Sequence, residues 1–226
     1  MSGDNKVDII VTNNVAAPAA GQINILLGNN TATPAAAIQT AAGGNQPTHA
    51  VLADVNADMK LDLLIANSGS NTFTVRTGNG HGTFALAAAA TTFAMGSATS
   101  TTTNYLAVGD LNADGKPDVV ASNAGNTSTQ ISVRLGAGAA SFGNVTNFTV
   151  GTKPTSVAIA DFDGDGKLDI VAANQTTNNI SVLRNTGAGA FAGAVNFAMN
   201  TGSSSVAVPD LNGDARPDVV TNSIGT

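Results

Sequence analysis

Cysteine, tryptophan and glutamate are all missing from this chain of 226 residues, and each absence removes a class of answer. With no cysteine there is no disulfide framework, no thiolate metal site and no cysteine nucleophile. Aromatic residues make up only 4% of the chain, so its core has to be built from small aliphatic side chains. Charged residues are scarce too, at 11% against about a quarter in ordinary globular chains. The net charge is −6 and no basic cluster occurs, which excludes a phosphate-neutralising nucleic-acid surface. No apolar run approaches the roughly 18 residues of a membrane span, and Met1 to Asp8 has neither a basic nor an apolar leader region. The sequence thus reads as a chain with no membrane span and no export signal. Its Ala, Thr, Asn, Gly and Ser bias resembles that of secreted bacterial proteins, so an extracellular or cell-surface location is expected.

What is present is a repeat. Five segments align: Gly3 to Asn13, Asp54 to Asn67, Asp110 to Asn123, Asp161 to Asn174 and Asp210 to Asn222. The third and fourth read DLNADGKPDVVASN and DFDGDGKLDIVAAN, the fifth DLNGDARPDVVTN, the second DVNADMKLDLLIAN and the first GDNKVDIIVTN. The last Asp of each falls at Asp8, Asp62, Asp118, Asp169 and Asp218, with spacings of 54, 56, 51 and 49 residues. All 15 acidic residues of the chain are Asp, and all lie in these five loops. A solvating surface would scatter its carboxylates, so the loops themselves require them.

Short β-type patterns flank each loop, as in Ser156 to Ala160 and Ser205 to Val208 before it and Ile170 to Ala173 after it. A third strand is expected at Gln22 to Leu27, Thr72 to Arg76, Ile131 to Leu135 and Ile180 to Arg184. A Gly-rich turn then leads through Phe84, Phe142 or Phe191 to a weaker fourth strand, such as Val145 to Val150 or Ala194 to Ala198. No segment sustains a helical apolar period. Four short antiparallel strands per repeat make one blade of a β-propeller. The chain is therefore expected to be all-β, a single propeller over 1–226 with about four blades. Its repeats fall at approximately 1–48, 49–104, 105–154 and 155–204, with a partial copy at 205–226.

The loop chemistry points to calcium, which takes six to eight hard oxygen ligands that alternate residues of a tight loop can aim at one centre. Asp161, Asp163 and Asp165 have that spacing, the Lys167 carbonyl adds a ligand without regard to side chain, and Asp169 returns as the fourth carboxylate. Carboxylates 4 Å apart repel by about 4 kcal/mol at an effective dielectric near 20, so such a cluster needs a cation. Magnesium is disfavoured because it keeps its waters and demands octahedral geometry. An EF-hand would need Glu at loop position twelve, where Ala172 stands.

These segments resemble the FG-GAP and VCBS repeats of integrin-type β-propellers, with a DxDxDGxxD loop between the first two strands of each blade. GNGHGTF at Gly78 to Phe84, SFG at Ser141 to Gly143 and GTKPTSVAIAD at Gly151 to Asp161 are similar to that family's other conserved segments. The resemblance implies calcium ligands at Asp161, Asp163, Asp165, Lys167 and Asp169, and at Asp110, Asn112, Asp114, Lys116 and Asp118. It extends, with weaker sites expected, to Asp54, Asn56, Asp58 and Asp62, and to Asp210, Asn212, Asp214 and Asp218. Loop position six is Met59 and Ala215 in those two copies, where a positive φ favours Gly. The first loop keeps only Asp4, Asn5 and Asp8 and is expected to be empty unless another segment completes it.

Three arrangements are compatible with these repeats, one of them that the chain is an excised or engineered part of a longer propeller. Ser205 to Val208 could complete the blade begun by Val7 to Asn13, giving four blades, or a second chain could join head to tail into an eight-bladed homodimeric ring. A calcium-dependent, non-catalytic binding or adhesion module is the expected function, with a glycan or protein ligand on the loop face. A self-assembling structural fragment is the alternative, and a polysaccharide lyase using Tyr105 with a His is a third reading. His49 and His81 are both expected in exposed turns. Arg76, Arg134 and Arg184 recur at what reads as one point of the third strand, where a periodic structural role is expected. Lys6, Lys60, Lys116, Lys167 and Arg216 recur beside the loops as partial charge compensation.

Overall fold

The computed structural model describes residues 6–14, 21–29, 37–85, 91–96 and 102–224, and among them every regular element is a strand. The first sheet has β1 (Ile9–Asn13), β2 (Gln22–Leu26) and β3 (Ile38–Ala41) in that order. The second runs β4 (Pro47–Ala53), β5 (Asp62–Asn67), β6 (Thr72–Arg76) and β7 (Thr91–Ala94). The third runs β8 (Thr103–Gly109), β9 (Asp118–Asn123), β10 (Gln130–Gly138) and β11 (Ser141–Thr149). The fourth joins β12 (Pro154–Ala160), β13 (Asp169–Asn174), β14 (Asn179–Leu183) and β17 (Val195–Ala198), with the small hairpin β15 (Asn185–Gly187) and β16 (Ala190–Phe191) in between. The last two strands, β18 (Gly202–Ala207) and β19 (Val220–Ile224), pair with each other. All these pairings are antiparallel, and apart from β14 with β17, which are separated by the β15–β16 hairpin, they join sequential neighbours, as in propeller blades.

The second strand of each complete blade is buried along its whole length, because it lies between two neighbouring blades. That explains the apolar runs after each loop. Among the described residues the core is accordingly divided into four clusters, each between adjacent sheets. Ile23 and Ile25 meet Leu63 and Ile65. Leu64 and Phe73 meet Val119 and Ala121. Val120, Ile131 and Val133 meet Ile170 and Ala172, and Val171 and Ile180 meet Val206. The few aromatics reinforce these seams, Phe142 of the third blade standing edge-on to Phe73 and Phe93 of the second.

The innermost strands β4, β8, β12 and β18 border a concavity of about 600 Å³ on the propeller axis, together with Asp8 and Ile10. A girdle of hydrogen bonds ties them from blade to blade. The Thr48 hydroxyl donates to the Asn104 carbonyl (2.8 Å), the Asn104 amide to Thr155 (3.0 Å), and the Thr155 hydroxyl to Ser204 (2.9 Å).

Three expectations need correction. Closure by Ser205 to Val208 pairing on Val7 to Asn13 is not the arrangement, since β18 pairs with β19 and β1 with β2. His49 is not in an exposed turn: Pro47 begins β4, so His49 points into the axial concavity, half-buried. There its ring stacks on Tyr105 at 3.6 Å, and its Nδ1 accepts the Leu106 N–H at 3.3 Å. That N–H lies at a register shift in β8, and in the fourth blade Ser156 accepts the matching Val206 N–H. Nor do the three arginines share one position. Arg76 faces Leu63 and Arg134 faces Val119, but the residue facing Ile170 is Leu183, so Arg184 is displaced by one and turned to the other face. Arg76 and Arg134 fill the structural role, binding carbonyls of the preceding blade at Ala41 and Ala94. Arg184 is exposed. His81 lies, as expected, exposed in a glycine turn.

Candidate metal centres

Each loop is organised by its own carboxylates accepting backbone amides. The Asp at position one accepts from positions five and six: Asp110 takes the amides of Asp114 (3.1 Å) and Gly115 (2.8 Å), and Asp161 those of Asp165 (3.2 Å) and Gly166 (2.8 Å). Asp54 does the same with Asp58 and Met59, and Asp210 takes Ala215. Position three, at Asn56, Asn112, Asp163 and Asn212, accepts from position five. Position five then accepts the amide of Lys60, Lys116, Lys167 or Arg216. Such wrapping turns the side-chain oxygens inward.

The closing Asp has a different task. One oxygen of Asp118 accepts the Leu111 amide (2.7 Å) and the other the Gly136 amide from the third strand (2.7 Å), so it ties the loop to the blade. Asp62 and Asp169 repeat the pattern, and Asp8 accepts Gly28 in the first copy. Asp218 accepts Leu211. Burial pushes the Asp62 and Asp118 carboxyls up from the usual Asp value, and backbone hydrogen bonds oppose the shift. Asp4 and Asn5 lie outside the described residues.

In the fourth loop, oxygens of Asp161, Asp163 and Asp169 lie within 4.8 Å of one another. Asp165 does not join this group, because the Lys167 ammonium holds it at 2.7 Å and lowers its pKa. Lys116 acts likewise on Asp114 at 3.2 Å, where the Lys116 amide is the larger cause of the lowered pKa, and Lys60 stands 3.7 Å from Asp58. Displaced Arg184 approaches Asp163 at 3.6 Å. An all-oxygen donor set converging on one point, with cations gathered around it, fits a hard divalent ion such as calcium. Asp161, Asp163 and Asp169 would hold it, and Asp165 would join on releasing Lys167.

Position six has positive φ in all four loops, at Met59 (64°), Gly115 (78°), Gly166 (82°) and Ala215 (63°), as its residue types led us to expect. Position four does too, at Ala57 (62°), Ala113 (60°), Gly164 (77°) and Gly213 (77°). This second left-handed residue was missed in the sequence, although Gly164 and Gly213 were its signal. Only the fourth loop has glycine at both.

The FG-GAP-like repeat family model matches residues 54–121, 110–172 and 161–221, each stretch starting at the first Asp of a loop. No curated protein matches the chain. Among solved structures, it is similar to an Agrocybe aegerita lectin that recognises non-reducing terminal N-acetylglucosamine, with 19% identity and a TM-score of 0.58. The alignment covers 96% of this chain and 60% of the lectin chain. It is also similar to part of the Photorhabdus luminescens Tc holotoxin pore, at 16% identity and a TM-score of 0.51, over 97% of this chain and 10% of that one. Both likenesses show the fold. With family matches spanning most of its length and blades that carry the Asp loop at each first connection, the chain belongs to the FG-GAP-like repeat family.

Proposed function

We propose that this chain is a calcium-stabilised, non-catalytic β-propeller of extracellular or cell-surface location that presents a ligand-binding surface, with a glycan as the favoured ligand class. The observation that carries it is the convergence of Asp161, Asp163 and Asp169 in one of four loops that share a hydrogen-bond frame. Family membership supports the calcium reading, and the lectin likeness supports the choice of glycan over protein. A site of about 0.1 mM affinity in 1 mM calcium contributes about 1.4 kcal/mol by mass action, so several such sites matter to a domain with divided cores.

The lyase reading gains a juxtaposition, since His49 and Tyr105 do meet. Yet His49 Nδ1 is engaged by a backbone amide and its ring by stacking, which favours a role in blade packing. Self-association through a second copy belongs to the same proposal. Val7, Ile9 and Val11 near one end of the blade series are exposed, as are Val195, Phe197 and Leu211 near the other.

Thermal unfolding in 1 mM calcium and in excess chelator, with light scattering and a glycan array, tests these points together. We expect a lower melting temperature in chelator, a mass twice 22.3 kDa and saturable glycan binding. An unchanged melting temperature overturns the calcium reading, a monomeric mass the self-association, and an empty array the glycan. Unsaturated product from acidic polysaccharides would overturn the non-catalytic assignment.

A further inference from the structure

The residue that donates its backbone amide to the closing Asp, within the end of the third strand or just beyond it, is glycine in three blades. Gly28 donates to Asp8 (2.8 Å), Gly78 to Asp62 (2.9 Å) and Gly136 to Asp118 (2.7 Å). A Cβ at any of them would stand 2.0 to 2.4 Å from the carbonyl oxygen of Val7, Leu61 or Pro117, which bars a side chain there. The fourth blade departs from this rule. Its amide donor to Asp169 (2.7 Å) is Asn185, 2% exposed, and the side chain is fully engaged. Its Nδ2 donates to the Leu168 carbonyl (2.9 Å), just before Asp169, and to the Leu111 carbonyl of the preceding blade (2.8 Å). Its Oδ1 accepts the Gly187 amide (2.8 Å).

Leu111 stands between Asp110 and Asn112, which are positions one and three of the third loop. One buried amide therefore links two neighbouring Asp loops. The loops also face each other across a gap of about 170 Å³ bordered by Asp110, Asn112, Lys167 and Gly187. Between the second and third loops the matching carbonyl, Val55, is instead reached by the Ala140 amide of the next blade's turn. A feature copied in every blade would report only on blade construction. Asn185 breaks the repeat, and it does so where it spans two sites.

We infer that Asn185 is a positioning residue that couples calcium binding at the fourth loop to calcium binding at the third. The inference rests on the calcium reading above. The fourth loop, with three converged carboxylates and glycine at both left-handed positions, fills first. Filling fixes Asp169, and through it Asn185, whose amide already holds the Leu111 carbonyl, so the third loop is steadied before its own ion arrives. A site already ordered by its neighbour loses less conformational entropy on binding, which appears as positive cooperativity without a large structural change. Linkage makes the effect reciprocal.

Calcium titration of the full chain, followed at the amide resonances of Gly115 and Gly166, reads the two loops separately. In the native chain, Asp163→Ala should raise the calcium midpoint seen at Gly115 by about fivefold or more, the lower end of ordinary allosteric coupling. In an Asn185→Gly background, the same substitution should move the Gly115 midpoint by less than about twofold. Asn185→Gly installs the residue found at 28, 78 and 136, and Asn185→Ser serves as a second variant that keeps a Cβ but cannot reach both carbonyls. If Asp163→Ala leaves Gly115 unmoved in the native chain, or moves it equally without Asn185, the coupling is overturned while calcium binding stands. If neither glycine responds to calcium, the coupling and the calcium reading fall together.

Discussion

At the scale of single residues, the loops differ mainly in what occupies two left-handed positions. A non-glycine residue in that conformation costs about 1 kcal/mol or more, because its Cβ crowds a carbonyl oxygen. Met59 carries that cost at φ 64° and is 94% exposed, so nothing in packing offsets it. Met59→Gly is expected to raise stability by about 0.5 kcal/mol, the relief being partly cancelled by the freer unfolded chain. It should also tighten calcium binding at the second loop. Urea unfolding with and without calcium checks both, and a loss of stability would show that the Met59 side chain contributes contacts the structure does not display.

Within an element, the carboxylates divide their labour. The closing Asp118 is buried and satisfies two amides, Leu111 from the loop and Gly136 from the third strand. Asp118→Ala would leave both unpaired in the interior, at a cost of about 2–4 kcal/mol even without calcium. Asp165, by contrast, is exposed and contacts its own loop and Lys167. Asp165→Ala should leave calcium-free stability nearly unchanged and reduce only the stabilisation added by calcium. Denaturant melts of both variants in chelator and in calcium separate these roles; equal losses in chelator would sink the division. The closing Asp was legible in the sequence as the recurring last carboxylate of each loop. Its strand-joining task was not, because its second partner lies 16 to 18 residues further along the chain.

Across the whole molecule, stability depends on seams between blades, and one of these carries a titratable group. Burial pulls His49 down to about 4, so the unfolded chain binds a proton near pH 6.5 that the folded chain accepts only near 4. The folded state is therefore favoured fully above about pH 6.5 and loses that advantage as pH falls to 4, by up to about 3 kcal/mol. His49→Ser keeps an acceptor for the Leu106 amide, as Ser156 does for Val206, and has no proton to gain. Its stability should fall less between pH 6.5 and 4 than that of the native chain. An identical acid profile would mean that other groups govern the decline.

The sequence by itself determined the repeat, the absence of helix among the described residues, the four-strand blade and the place of every Asp loop. These follow from local rules: alternation of side chains, the apolar run of a strand buried on both faces, and the spacing of oxygens around a tight turn. Only the tertiary structure decided how blades meet. The His49 ring met Tyr105 and the Leu106 amide because two inner strands lie side by side although 57 residues separate His49 from its hydrogen-bond donor. Arg184 left the arginine series through a shift of one residue, which in a strand reverses the face and which no count of spacings along the chain displayed. Asn185 reached Leu111 across 74 residues. Such contacts depend on the angle and register between blades, which are set by packing and not by any pattern within one repeat.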